Sequence, residues 1–157
     1  MLENFVVMSP DAGGTQRAEA FKKKLIDVFE KHGEETKIGF VLGHKTRRKE
    51  SEIEEYEIKQ KNVLIVDDII DYGNTLLKAL KKLKEKGARK VYAYATHGLF
   101  TEGIEKLEKF DKIFVSDSVY VEPHEKIEVI SVANLVGEAI FRIIKGESLS
   151  QLFEVSK

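Results

Sequence analysis

Apolar and polar positions fall into two kinds of run along this chain. Short unbroken apolar runs, "NFVVM" (4–8), "KIGFVL" (37–42), "NVLIV" (62–66) and "KVYAYA" (90–95), are rich in β-branched and aromatic residues and predict strands. Between them the period lengthens. In residues 15–33, Phe21, Leu25, Val28 and Phe29 share one helical face and Gly33 is a stop. In residues 74–87, Leu76, Leu80 and Leu83 are in register and Gly87 closes the helix. Further along, "EGIEKLEKF" (102–110) predicts a short helix, and "KIFVSD" (112–117) and "KIEVISV" (126–132) predict two more strands. The segment "NLVGEAIFRIIKG" (134–146) predicts a last helix. Residues 43–60, "GHKTRRKESEIEEYEIKQ", are densely charged without periodicity, and predict a long mobile loop with a little strand near Tyr56. Strands that are apolar throughout are buried on both faces, and strands alternating with helices form βαβ units. The expected fold is therefore α/β, a doubly wound and mainly parallel sheet, in a single domain spanning 1–157.

Composition narrows the function without choosing it. A chain of 157 residues with 42% apolar and 34% charged residues can bury a core of ordinary size. The net charge of −1 gives no basic surface for nucleic acid or an anionic membrane. With no cysteine, disulfides, thiol catalysis and cysteine-ligated metals are excluded. No apolar run approaches the roughly 20 residues that span a bilayer, and "MLENFVVMSPD" lacks the basic and apolar regions of a secretory signal. A cytoplasmic location is the expectation.

Ligands of open α/β sheets collect at the carboxyl ends of strands, and three polar clusters are expected there. After the third strand comes "DDIIDYGNT", in which Asp67 and Asp68 leave the strand, Gly73 permits a tight turn, and Asn74 and Thr75 lead into a helix. The free amides of a helix start suit a phosphate. Carboxylates would repel a phosphate but suit sugar hydroxyls, or a divalent cation shared with ligand oxygens. Together they point to a sugar phosphate. A plain helix cap is the alternative, but it needs one acid and this stretch has three. After the first strand, "SPDAGG" offers Ser9, the carboxylate of Asp11, and Gly13 and Gly14, whose backbone amides can approach an anion; a simple strand-to-helix turn explains it equally well. After the second strand, "HKTRR" includes Lys45 and Arg47 in what is otherwise a solvated charge run.

The stretch "VLIVDDIIDYGNT" resembles the phosphoribosyl-binding motif shared by type I phosphoribosyltransferases and ribose-phosphate pyrophosphokinases, the phosphoribosyl pyrophosphate synthetases. Three further stretches favour the synthetases. "VVMSPDAGGTQRAEAF" resembles their pyrophosphate loop, "VYAYATHGLF" the strand that follows the sugar motif, and "KIEVISVANLVGEAIFRIIKGESLSQLF" their C-terminal tail. The resemblance implies a phosphoribosyltransferase-like domain equivalent to the synthetases' C-terminal domain. It implies the family's reaction in nucleotide biosynthesis, transfer of a pyrophosphoryl group from ATP to the 1-hydroxyl of ribose 5-phosphate. By position, Asp67, Asp68, Asp71, Gly73, Asn74 and Thr75 correspond to the ribose 5-phosphate site, and Ser9, Asp11, Gly13 and Gly14 to the pyrophosphate loop. Asp11 corresponds to a Mg²⁺ ligand, and Lys45 and Arg47 to the Lys-x-Arg that stabilises transferred phosphates.

The sequence departs from that family in three ways. It is about half the usual length and lacks the N-terminal half that supplies a metal-binding histidine and much of the ATP surface. The synthetases read Asp-Thr-Ala/Cys-Gly-Thr where this chain reads "DYGNT", with Gly73 at the transferases' position and Tyr72 in place of threonine. The loop beyond Lys45 and Arg47 also differs. Three functions are therefore carried forward: a ribose 5-phosphate-binding half of a ribose-phosphate diphosphokinase that needs a separate N-terminal half, a compact phosphoribosyltransferase using phosphoribosyl pyrophosphate, and a non-catalytic regulatory protein bound to a full-length synthetase. Turnover by this chain alone is not implied. A homo-oligomer, at least a dimer, is expected: the resemblance implies it, since members of that family oligomerise, and apolar surface that a sister domain would cover would otherwise be exposed.

Overall fold

The unbroken apolar runs form strands as expected, and every neighbouring pair is parallel. A computed structural model describes residues 4–43 and 58–153. In chain order the elements are β1 (Phe5–Ser9), α1 (Thr15–Lys31), β2 (Ile38–Leu42), β3 (Asn62–Ile70), α2 (Asn74–Glu85) and β4 (Lys90–Gly98). A 3₁₀ turn (Glu105–Leu107), β5 (Lys112–Ser116), β6 (Ile127–Ile130), α3 (Ala133–Lys145) and α4 (Ser150–Phe153) complete them. The sheet order is β2-β1-β3-β4-β5-β6. From β1 the chain winds outward to β2, then returns to β1's other side as β3, so the winding reverses between β1 and β3. The loops after these two strands diverge and leave a crevice, the usual ligand position in such sheets. Ser9, Asp11, Gly13 and Gly14 follow one strand and the acidic segment ends the other. The second strand's cluster, with Lys45 and Arg47, and the strand expected near Tyr56 lie outside the described residues.

Both sheet faces carry helices. On one, Leu76, Leu80 and Leu83 of α2 pack with Val63, Ile65, Val91, Ala93 and Ile113. On the other, Ala18 of α1 packs with Val7, Leu64 and Val66, and Phe21 lies against Tyr94 at a ring separation of 5.0 Å. Full burial of a leucine such as Leu83 is worth about 2 kcal/mol. No helix among the described residues is long and apolar enough to cross a membrane.

Four details differ from the expectations. First, β3 and β4 outrun their apolar cores. Asp67 pairs with Ala95, Ile69 with His97 and Ile70 with Gly98, so Asp67 and Asp68 sit within the strand instead of leaving it. Backbone pairing does not read side chains, and the acids are tolerated because this end of the strand opens onto loops. Second, residues 102–110 yield one 3₁₀ turn in place of a helix. Phe100 and Gly103 take left-handed backbone angles (φ 49° and 80°), which a right-handed helix cannot contain. Third, the last strand is only Ile127–Ile130, and Glu128, Val129 and Ile130 are exposed, so burial on both faces fails at this edge. Fourth, Val28 is half exposed although its periodicity placed it on the apolar face of α1.

Candidate functional site

The end of β3, the turn after it and the start of α2 form one side of a cleft of about 400 Å³. Residues from Asp67 to Leu76 line it, and Asp11 closes it from the loop after β1. Each part is held by a specific device. Gly73 stands before α2 in the left-handed region (φ 73°), and a Cβ there would come within 2.9 Å of Leu107 Cδ2. Both facts demand glycine. No side chain caps α2. Its first amides, from Asn74 onward, have no partner within the helix and face an incoming group with the positive end of the helix dipole. Asp71 is tied across the turn, its Oδ1 accepting a hydrogen bond from the Thr101 hydroxyl. Tyr72 lines the cleft and is half exposed.

The loop after β1 is pinned from below. Buried Ser9 donates through Oγ to the Asp11 carbonyl oxygen (2.7 Å). The Gly14 amide donates to Asp11 Oδ1 (2.8 Å). A Cβ on Gly14 would lie 2.9 Å from Ser9 Oγ, so the turn closes only around a glycine. Asp11 thus shapes the turn with one oxygen while its residue lines the cleft.

The two strand acids differ in character. Burial pushes the Asp67 carboxyl up to about 6; its hydrogen bond from the Asp68 amide (2.9 Å) works against this, and the nearby charges of Asp68 and Asp11 add to it. Burial also opposes ionisation of Asp68. The hydrogen bond shared with Asp67, the Arg17 guanidinium and backbone amides outweigh it and hold this carboxyl below the usual range. The pair is therefore one largely ionised acid beside one that changes charge near neutrality.

Arg17 is the partner of the strand acids that the sequence reading missed. From the first turn of α1 its Nη2 lies 2.9 Å from Asp68 Oδ2 and its Nη1 3.5 Å from Asp67 Oδ1. A signal existed. A cation in a first helical turn is disfavoured by the helix dipole unless an anion compensates it. Of the residues singled out from sequence, the cleft unites Asp11 with Asp67, Asp68, Asp71, Gly73, Asn74 and Thr75. Ser9 and Gly14 lie in the framework beneath the loop, while Lys45 and Arg47 are not described.

The donors present are hard carboxylate oxygens, the chemistry Mg²⁺ selects. No group of three or more potential ligating side chains occurs among the described residues. Asp11 could hold such an ion only with water or ligand oxygens supplying most of the coordination, a common arrangement for Mg²⁺ bound with phosphates.

Residues 56–154 match the phosphoribosyl synthetase-associated domain family. A ribose-phosphate pyrophosphokinase of Aquifex aeolicus is 39% identical over 98% of this chain and 49% of its own length. That of Chlorobaculum tepidum is 41% identical over 97% of this chain and 46% of its own. The crystal structure of phosphoribosylpyrophosphate synthetase from Mycobacterium smegmatis superposes with a TM-score of 0.69 at 25% identity, over 92% of this chain and 46% of that one. The chain spans about half the length of the curated relatives it matches. A shared phosphoribosyltransferase-like fold, an acidic strand end facing a glycine-led helix start, and similarity along nearly its whole extent place this chain in the ribose-phosphate pyrophosphokinase family.

Proposed function

We propose that the cleft binds ribose 5-phosphate and that the chain is the sugar-phosphate half of a ribose-phosphate diphosphokinase, equivalent to that family's C-terminal domain. One observation carries this reading: the acids of β3 and the uncapped start of α2 line the same cleft, one suited to hydroxyls and the other to a phosphate. In this reading Asp67 and Asp68 accept hydrogen bonds from ribose hydroxyls. The backbone from Gly73 to Thr75 receives the 5-phosphate, and Asp71, tied to Thr101, keeps the turn in shape. Asp11 lies across the cleft, where it would hold Mg²⁺ together with phosphate oxygens. The ion would supply charge neutralisation on the transferred phosphates. Arg17 orients the acid pair. Lys45 and Arg47 would bring positive charge to the transferred group, because phosphoryl transfer depends chiefly on positioning and electrostatics.

The 1-hydroxyl of the bound sugar is the nucleophile and the β-phosphorus of ATP the electrophile, so the products would be phosphoribosyl pyrophosphate and AMP. The ATP surface would come from a second half. This chain's match to about half the length of its relatives supports that division.

The test of the binding claim is isothermal calorimetry with ribose 5-phosphate and Mg²⁺. Asp67→Asn with Asp68→Asn should abolish binding while changing unfolding stability by no more than about 2 kcal/mol. Undiminished affinity in the doubly substituted protein would mean that the acids serve only the strand end. The left-handed Gly73, at the position transferases favour, supports a compact phosphoribosyltransferase as the second reading. It would form a nucleotide from phosphoribosyl pyrophosphate and a free base without ATP. A regulatory partner of a synthetase would bind the sugar phosphate and form neither product.

A further inference from the structure

Neither the fold nor the proposed reading gives Tyr72 a task. It stands between Asp71 and Gly73 and lines the cleft. It belongs to neither buried cluster, and 49% of it is exposed. A single exposed apolar side chain is ordinary, but a second lies in the same cleft: Ile69 also lines it and is 44% exposed. The other apolar lining residues, Ile70 and Leu76, are buried. The cleft therefore offers a ligand three kinds of surface. The carboxylates of Asp67 and Asp68 suit hydroxyls, the amides from Asn74 onward suit an anion, and Tyr72 with Ile69 presents carbon.

The exchange of threonine for tyrosine at this position sharpens the contrast. A threonine holds its hydroxyl close to the backbone amides that receive a phosphate. Tyrosine carries its hydroxyl far from them, at the tip of a ring. A short polar contact is given up and a flat apolar surface is gained. A pentose in its furanose form fits such a surface, with hydroxyls at its rim and C–H bonds on its face. An inorganic phosphate has no such face.

We propose that the Tyr72 ring is the platform for the carbon face of the sugar, and that it selects a cyclic pentose phosphate over an open-chain polyol phosphate. The proposal rests on ribose 5-phosphate binding in this cleft and names what sets its selectivity. An open-chain polyol phosphate keeps the phosphate for the amides and the hydroxyls for the acids, but it has no flat face to stack. Burial of roughly 40 Å² between ring and sugar corresponds to about a fivefold change in affinity. The phenol hydroxyl takes no part in this contact.

Calorimetry on the whole chain with ribose 5-phosphate and with ribitol 5-phosphate, each with Mg²⁺, tests the platform. Tyr72→Ala should weaken ribose 5-phosphate about fivefold and leave ribitol 5-phosphate unchanged. Tyr72→Phe should match the wild type for both ligands. Circular dichroism and melting temperature should be the same in all three proteins, because this side chain lies outside both buried clusters. Three results would each overturn the proposal. An equal loss for both ligands would assign Tyr72 to the phosphate or the hydroxyls. No loss for either would mean that its ring faces away from the ligand. A Tyr72→Phe protein that behaves like Tyr72→Ala would give the role to the phenol hydroxyl. The acid pair separates this failure from that of the proposed function. Binding lost in Asp67→Asn with Asp68→Asn, beside an unaffected Tyr72→Ala, keeps the sugar-phosphate site and removes only its platform. A wild-type chain that binds neither ligand overturns both.

Discussion

Asp67 sits inside a strand with only 15% of its side chain exposed, and its folded-state carboxyl has moved from 3.8 to about 6. The sign of the effect on stability follows. Between those values the unfolded chain has released the proton while the folded chain still holds it, so stability falls as pH rises through that window and levels off above about 6. Asp67→Asn should remove that fall and raise stability at pH 7 by about 1–2 kcal/mol, the lost Arg17 contact offsetting part of the gain. Urea titrations of both proteins at pH 4 and pH 7 check this, and an equal difference at the two values would contradict it. The acids themselves were legible from sequence, because three carboxylates within five residues at a strand end exceed what a helix cap uses. Their partners were not. Arg17 is 50 residues from Asp67 and Thr101 is 30 from Asp71, and no local pattern encodes pairings over such separations.

Helices declared themselves by period where the period is long and uninterrupted. The stripe of α2 predicted Leu76, Leu80 and Leu83 as core, and all three are buried. The turn preceding α2 was legible as a glycine but not as a packed one, since Leu107 arrives from a distant 3₁₀ turn to press against it. Gly73→Ala should therefore cost about 2 kcal/mol, combining left-handed backbone strain with the Leu107 clash. Leu107→Ala removes the obstructing methyls and destabilises by creating a cavity. The double variant should consequently be less destabilised than the sum of the two singles, measured by thermal or urea unfolding. Strict additivity would show that the Gly73 cost is backbone strain alone. Strand ends were the least legible elements. The acids in β3 belong to the ladder only because β4 supplies an equally long partner, which its own sequence pattern does not reveal.

At the scale of the molecule, the parallel, doubly wound architecture came through because apolar strands separated by helices leave few topologies open. The exposure of α3, which buries no side chain, did not, since an amphipathic helix reads the same whether or not it folds onto its own sheet. The proposed function, for a chain that spans about half the length of its relatives, sets the expectation. This chain alone should form no AMP from ATP, Mg²⁺ and ribose 5-phosphate, and adding the remaining half of a relative as a separate polypeptide should restore AMP production. Nucleotide formation from a base by the isolated chain would instead favour the transferase reading. The uniform strand direction has one more consequence. Because all six strands run the same way, the rim bearing their carboxyl ends gathers the exits after β1, β3 and β4, while the opposite rim carries only strand entries. Mutational tolerance should divide along the same line. Changes on the first rim would alter what the protein recognises at small thermal expense, whereas changes on the second would loosen the scaffold and leave ligand preference intact, so a family of this shape can diversify its chemistry without rebuilding its sheet.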